Sequence, residues 1–298
     1  MSLTLPAEQT TGGSPGLPPA VRRKRRTPSF TTIVLLVPLL YMTVVYVIPV
    51  GQTLLDSATE PVVGFGNFTA ALTDPIVQRV LLITLRISVE VAVICLVLGL
   101  PVAYFMSRLP ARRARLVALL VIIPFWTSVL VRSFAWIVLL GDDGVVAKLL
   151  SPFTGGTSGL LYSEPAVVIS MVHVLLPFTI LIIKSTLDQI DYSLMRAART
   201  LGAGPVRAFV RVYLPLAVPA AVSGTMLVFI MGLGYYITPA LVGGPRQTMI
   251  AMLIERKVNV TFDWPGAAAL STMLLVASVV LYFVIRKLTK VQGLVGVQ

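Results

Sequence analysis

Few side chains in this 298-residue chain can do covalent chemistry, and they are scattered along it. A single cysteine, Cys95, excludes an intramolecular disulfide framework and a thiolate zinc cluster, and a single histidine, His173, excludes a His-rich metal site. No Gly-x-x-x-x-Gly-Lys-Ser/Thr segment occurs, so the chain holds no ATP through a P-loop of its own. A membrane-embedded enzyme would need catalytic groups clustered at one face, which one His, one Cys and dispersed carboxylates do not supply. No catalytic residue, metal or cofactor is therefore assigned to this chain. The remaining chemistry is non-covalent: Glu90, Arg132 and the rings of Trp126, Trp136, Tyr235 and Tyr236, all set in or beside apolar sequence.

The elements that position these groups follow from hydropathy. With 56% hydrophobic and 12% charged residues and a mean hydropathy of +0.91, the composition does not describe a water-facing surface. A bilayer core of about 30 Å needs roughly 20 helical residues, and six segments qualify: 31–50, 85–106, 116–140, 165–183, 213–236 and 264–285. Pro101, Pro124 and Pro177 lie inside three of them, where packed membrane helices accommodate kinks because neighbours re-satisfy the freed carbonyls. The fold class expected is an all-α membrane protein with six transmembrane helices.

The formal charge of +12 would point to nucleic acid in a polar chain, but the basic residues follow the spans. Runs at Arg22–Arg26, Arg108–Arg115, Lys184–Arg211 and Arg286–Lys290 put seventeen Lys and Arg on the side that holds both termini. Six (Arg79, Arg86, Lys148, Arg246, Arg256, Lys257) fall on the other side, and Arg132 lies within span three. The positive-inside rule then predicts a multi-pass protein with both termini cytoplasmic and no nucleic-acid partner. Residues 1–30 read as a disordered basic cytoplasmic tail, 31–290 as the membrane domain and 291–298 as a second short tail. The uncharged stretch Thr27–Leu55 is 29 residues long, too long for a signal-peptide core, and reads as a retained anchor.

Each ionised group inside a membrane is costly unless paired or wet. Counted at about 1.5 Å per residue from the cytoplasmic ends, Glu90 stands roughly 26 Å up span two and Arg132 roughly 24 Å up span three. Arg86 and Glu90 can pair as i, i+4 neighbours, with Arg132 competing for the same carboxylate. Either this is a structural ion pair at the outer mouth, or Glu90 also attracts a cationic solute. His173 reads as an interhelical hydrogen-bonding group. Trp126, about 15 Å up span three, needs a polar partner or a wet path for its N–H. Tyr235 and Tyr236 are expected at the outer interface, where amphipathic rings are enriched.

The cytoplasmic loop 188–214 carries the most specific pattern. Asp191 or Ser193 can cap a short helix, Gly202 can end it in a left-handed conformation, and Pro205 suits the first turn of a second helix. Leu194, Ala197, Ala198 and Leu201 fall at i, i+3, i+4 and i+7 and form a narrow apolar face that can lie in a partner's groove or against lipid. The Ala197-Ala198 pair, Gly202 four residues later and Leu214-Pro215 resemble the coupling motif of binding-protein-dependent ABC importer permeases of the type I (MetI-like) fold. That motif usually opens with Glu-Ala-Ala, and Arg196 stands in the glutamate's place. The segments Pro124–Gly141, Val228–Pro245 and Phe262–Gly266 are similar to the PotB-like first permease of spermidine/putrescine importers, as far as the resemblance goes from span one to the C-terminus.

The resemblance implies a permease subunit in the bacterial inner membrane that forms half of a translocation path, most closely for a polyamine. Another amine, an opine or an anionic solute is the alternative within the family. Its implied partners are a second homologous permease, two ATPase subunits that bind ATP and magnesium, an extracytoplasmic solute-binding protein and membrane lipid. Leu194, Arg196, Ala197, Ala198, Leu201 and Gly202 would couple to the ATPase; Glu90, Trp126, Arg132, Trp136, Tyr235 and Tyr236 are the candidates for the path. A secondary transporter, the alternative from another class, would show inverted repeats and midplane acids.

Overall fold

The structure, a computed structural model, describes residues 30–60, 63–146, 148–149, 160–191 and 193–288. The tails expected over 1–30 and 291–298 lie outside the described residues, apart from Phe30. All regular elements among the described residues are helical. The chain divides into two units at Val50 and Gly51. The first holds α1 (Phe30–Met42), a π-helical turn at Thr43–Val47 and the beginning of α2 (Ile48–Thr59).

The second unit is built on α4 (Pro75–Arg108), preceded by α3 (Gly66–Thr73). Asp74 caps α4 by accepting a 2.8 Å hydrogen bond from the Ile76 amide, and Pro75 occupies its first turn. Leu109 is extended before Pro110, which ends the helix, as expected for a residue preceding proline. At 34 residues, α4 is about 51 Å long, more than a hydrocarbon core of about 30 Å requires. The expected span 85–106 is the apolar part of this longer rod.

Span three departs from the expectation of one kinked helix. It is α5 (Ala111–Ile122) with a 3₁₀ turn Ile123–Trp126, followed by α6 (Val129–Leu140), and the two parts meet at 91°. Pro124 cannot donate to the helix ladder, Thr127 and Ser128 are extended, and the Ser128 hydroxyl caps α6 at the Leu130 amide (3.3 Å). Heights counted along one straight axis therefore fail for Trp126 and Arg132.

The remaining helices are α7 (Glu164–Leu187), α8 (Ser193–Thr200), α9 (Pro205–Ala208) leading through a π-helical turn Phe209–Tyr213 into α10 (Leu214–Leu233), α11 (Ile237–Val242), α12 (Ile250–Asn259) and α13 (Trp264–Leu288). Among the described residues five helices are long and apolar enough to cross a membrane, or six if the bent pair counts as one. The core is the mutual packing of α4, α7 and α10. Ile87, Val91 and Cys95 meet Met171, Leu175, Val228 and Phe229 in one cluster, and Ala103, Met106, Ile183, Leu187 and Ala217 meet Met195, Ala208 and Tyr213 in a second. Around it α11 packs on α6 and α7, and α12 packs on α4 and α13.

Candidate translocation path and coupling surface

Glu90 lies in an ion cluster that joins two helices. Arg86 Nε is 2.9 Å from Glu90 Oε1, and Arg86 Nη2 is 2.9 Å from Glu164 Oε1 at the start of α7. One guanidinium thus serves two carboxylates, a formal charge of −1. The side chains are 67%, 37% and 28% exposed for Arg86, Glu90 and Glu164, so water screens the pairs and each contributes little stability. The i, i+4 pair is as the sequence predicts; Glu164, rather than Arg132, is the third member.

Arg132 belongs to a different set. It is only 9% exposed, and its Nε and Nη1 have no hydrogen-bond acceptor among the described residues. Beside it on α6, Ser133 Oγ lies 3.2 Å from Thr238 Oγ1 on α11 and also donates to the Val129 carbonyl (2.9 Å). One turn on, Trp136 Nε1 donates to His173 Nδ1 on α7 at 3.2 Å, with the rings edge to face at 5.6 Å. An indole N–H can only donate, so His173 Nδ1 accepts, and the imidazole is the neutral Nε2–H tautomer. His173 is thus the interhelical partner expected of it. An ionised guanidinium buried at membrane depth costs about 2.5–3.5 kcal/mol on insertion scales unless compensated.

The other path candidates scatter. Trp126, expected to find a polar partner near the midplane, stands 88% exposed at the corner between α5 and α6. Tyr235 follows the end of α10 at Leu233; its amide donates to the Gly232 carbonyl, and its side chain packs against the first core cluster. Tyr236 is 37% exposed. The structure brings Arg132 and Trp136 together with residues of α7 and α11, and leaves Glu90 and Trp126 apart from them.

The coupling loop folds as its sequence dictates. Asp191 accepts from the Ser193 amide (2.8 Å) and the Ser193 hydroxyl (2.6 Å), which hold its carboxyl below the usual carboxylate range, with Arg196 adding to the effect. Gly202 takes φ +87°, and two bonds around it, Ala203 N to Ala198 O (3.1 Å) and Gly202 N to Arg199 O (3.0 Å), close a Schellman cap. Leu194, Ala197 and Leu201 are exposed, Leu201 by 88%. Ala198, expected on the same face, is half-buried and turns with Met195 into the second core cluster. The helix thus shows one apolar edge outward and anchors itself by the other.

Sequence reading missed the group that ties this loop to the bundle. The Arg108 guanidinium carbon lies 5.0 Å from the Tyr104 ring centre and 4.7 Å from that of Tyr213. Tyr104 meets Phe209 and Tyr213 edge-on at 5.4 and 5.0 Å. Tyr104/Arg108 and Phe209/Tyr213 are each i, i+4 pairs, a signal visible in the sequence. That the two pairs meet is not visible there.

Residues 96–290 match the family described as binding-protein-dependent transport system inner membrane component. The chain is 33% identical over 212 residues to the spermidine/putrescine transport system permease protein PotB of Salmonella typhimurium (strain SL1344), covering 69% of this chain and 72% of the relative. It is 33% identical over 226 residues to the PotB protein of Haemophilus influenzae, covering 75% and 79%. A probable sulfate transport system permease protein of Nephroselmis olivacea is 28% identical over 249 residues, covering 83% and 86%. Among solved structures, a chain of a bacterial alginate ABC transporter in complex with a pentasaccharide-bound periplasmic protein has the same fold, with a TM-score of 0.70 at 18% identity over 87% of this chain and 95% of that one. A secondary transporter is thereby set aside, and an ATPase and a binding protein are implied as partners. Coupling motif, helical membrane core and relatives agree that the chain belongs to the family of binding-protein-dependent transport system inner membrane components.

Proposed function

We propose that this permease forms half of the path by which an ATP-driven importer passes a polyamine of the spermidine/putrescine class. The observation that carries the reading is the 33% identity to spermidine/putrescine permeases over most of the chain. A polyamine is a flexible chain of ammonium groups, and carboxylates with aromatic faces are the chemistry that passes it without trapping it. The Arg86–Glu90–Glu164 cluster, with one carboxylate in excess, supports Glu90 as a group that draws a cation to the mouth. Trp136, Tyr235 and Tyr236 would offer ring faces, and Trp126 would meet the second permease or lipid.

The edge formed by Leu194, Ala197 and Leu201 would dock in an ATPase groove, with Arg196 beside it and Gly202 fixing its end. ATP and magnesium would bind in the ATPase, both termini would be cytoplasmic, and closure of the ATPases would switch the bundle between inward-open and outward-open states. A second reading, an anionic solute, is favoured by buried Arg132 and by the likeness to a sulfate permease. Uptake of labelled spermidine, putrescine and sulfate into vesicles holding the complete complex decides between them. ATP-dependent spermidine or putrescine accumulation is expected. Sulfate accumulation that Arg132→Gln abolishes and Glu90→Gln does not would overturn the polyamine reading.

A further inference from the structure

The basic residues away from the coupling side are few, yet three of them converge. Arg79 on α4, Arg246 in the 3₁₀ turn Pro245–Gln247 and Arg256 on α12 line one cavity of about 640 Å³ with Ile83, Thr248 and Leu253. All three are exposed, and none has a carboxylate partner among the described residues. Acids that neighbour them in the chain are engaged elsewhere. Asp74 caps α4, Glu255 accepts from Asn259 Nδ2 at 3.2 Å, and Asp263 holds Lys257 at 2.5 Å. Three like charges around one cavity repel one another, and an anion relieves that repulsion.

Two features make the cavity a prepared surface. Arg79 and Arg108 are 29 positions apart on α4, about 43 Å along the rod, so the cavity lies at the end far from the coupling loop. Its Arg246 wall is held firmly. The Tyr162 amide donates to the Val242 carbonyl (3.1 Å), the Gly244 amide donates to Gln247 Oε1 (3.2 Å), and a Cβ on Gly244 would stand 2.5 Å from the Tyr162 carbonyl oxygen. Opposite, α12 buries Ile250 while Leu253 and Ile254 pack beside it, leaving Arg256 free to face outward.

We infer that this arginine triad is the electrostatic docking site for an acidic patch on the extracytoplasmic solute-binding protein, whose Asp and Glu side chains enter the cavity. The chain belongs to a family that depends on such a protein, which must visit this end of the bundle. Guanidinium forks match carboxylates bidentately, and complementary charge raises the rate of encounter. The site rests on that membership and on the coupling loop facing the ATPase, not on the identity of the solute.

The test uses the complete complex in vesicles and reads ATP hydrolysis against the concentration of purified binding protein. Replacing all three residues (Arg79→Gln, Arg246→Gln, Arg256→Gln) should raise the half-saturating concentration by about tenfold at low salt and flatten its salt dependence. Basal hydrolysis should be unchanged. The three Lys replacements should restore most of the response, and Arg246→Gln alone, on an exposed turn, should shift it in the same direction. An unchanged half-saturating concentration overturns the proposal. So does a shift seen only with anionic lipid in the vesicles and equally without binding protein, which would make lipid phosphate the ligand. Uptake of a solute other than a polyamine, with the charge dependence intact, would remove the polyamine reading and leave the docking site standing.

Discussion

The two ends of α4 carry surfaces of opposite physical kinds. At the coupling end the exposed edge of α8 is apolar, its helix is capped at both termini, Met195 and Ala198 seat it on the bundle, and Arg108 with aromatic rings ties the later turn Phe209–Tyr213 to α4. At the far end the surface is ionic and water-facing, with a two-carboxylate cluster around Arg86 and a separate cavity of three arginines. Apolar docking depends on shape, so single changes there should act strongly and salt should matter little. Ionic surfaces divide their effect among several screened charges, so single changes there should be modest and salt-sensitive.

The sharpest way to break this comparison is Gly202→Pro. The position needs φ +87° and donates its amide to Arg199, and proline can do neither. Co-purification of the ATPase should fall by more than about tenfold with the permease still inserted, corresponding to at least about 1.4 kcal/mol. Retained coupling in Gly202→Pro and in Leu201→Asp would show that this loop is not the docking element. Arg108→Gln should come next. Loss of a partly buried guanidinium over two rings removes about 1–2 kcal/mol, read as a lower thermal midpoint and more ATP hydrolysed per solute moved. Arg108→Lys should recover part of both.

At the ionic end Glu90→Gln should lower uptake of a cationic solute by less than about tenfold, and less at high salt, because Arg86 keeps Glu164 and the fold is untouched. A total loss of uptake would mean that Glu90 acts as a specific ligand. The smallest effect is that of pH on α8. The Asp191 carboxyl is held low by Ser193, so its contribution is fully present above the ordinary carboxylate value of about 3.9 and fades as pH falls through the lower folded value. Amide exchange over Ser193–Thr200 should therefore be insensitive to protonation of Asp191 at neutral pH, after correction for intrinsic rate, and should quicken only in strong acid. Asp191→Ala should bring the quickening to neutral pH.

Hydropathy and local backbone chemistry act over one or two helical turns, and they are what the sequence determined by itself. It is enough for the apolar spans, for the Asp191 cap, for the left-handed Gly202 and for the Arg86–Glu90 pair, since every partner lies within a few residues. Pro124 was legible as a kink, but whether a proline bends a helix gently or turns it by 91° depends on what the two halves pack against. The tertiary structure alone decided that Glu164 shares Arg86, that Trp136 finds His173, that Ser133 meets Thr238 across 105 positions, and that Tyr235 packs against the first core cluster. It also split the predicted face of α8, keeping Leu194, Ala197 and Leu201 outside while Met195 and Ala198 seat the helix. A helical repeat places residues on a face, but only the neighbouring helices determine which edge of that face is covered.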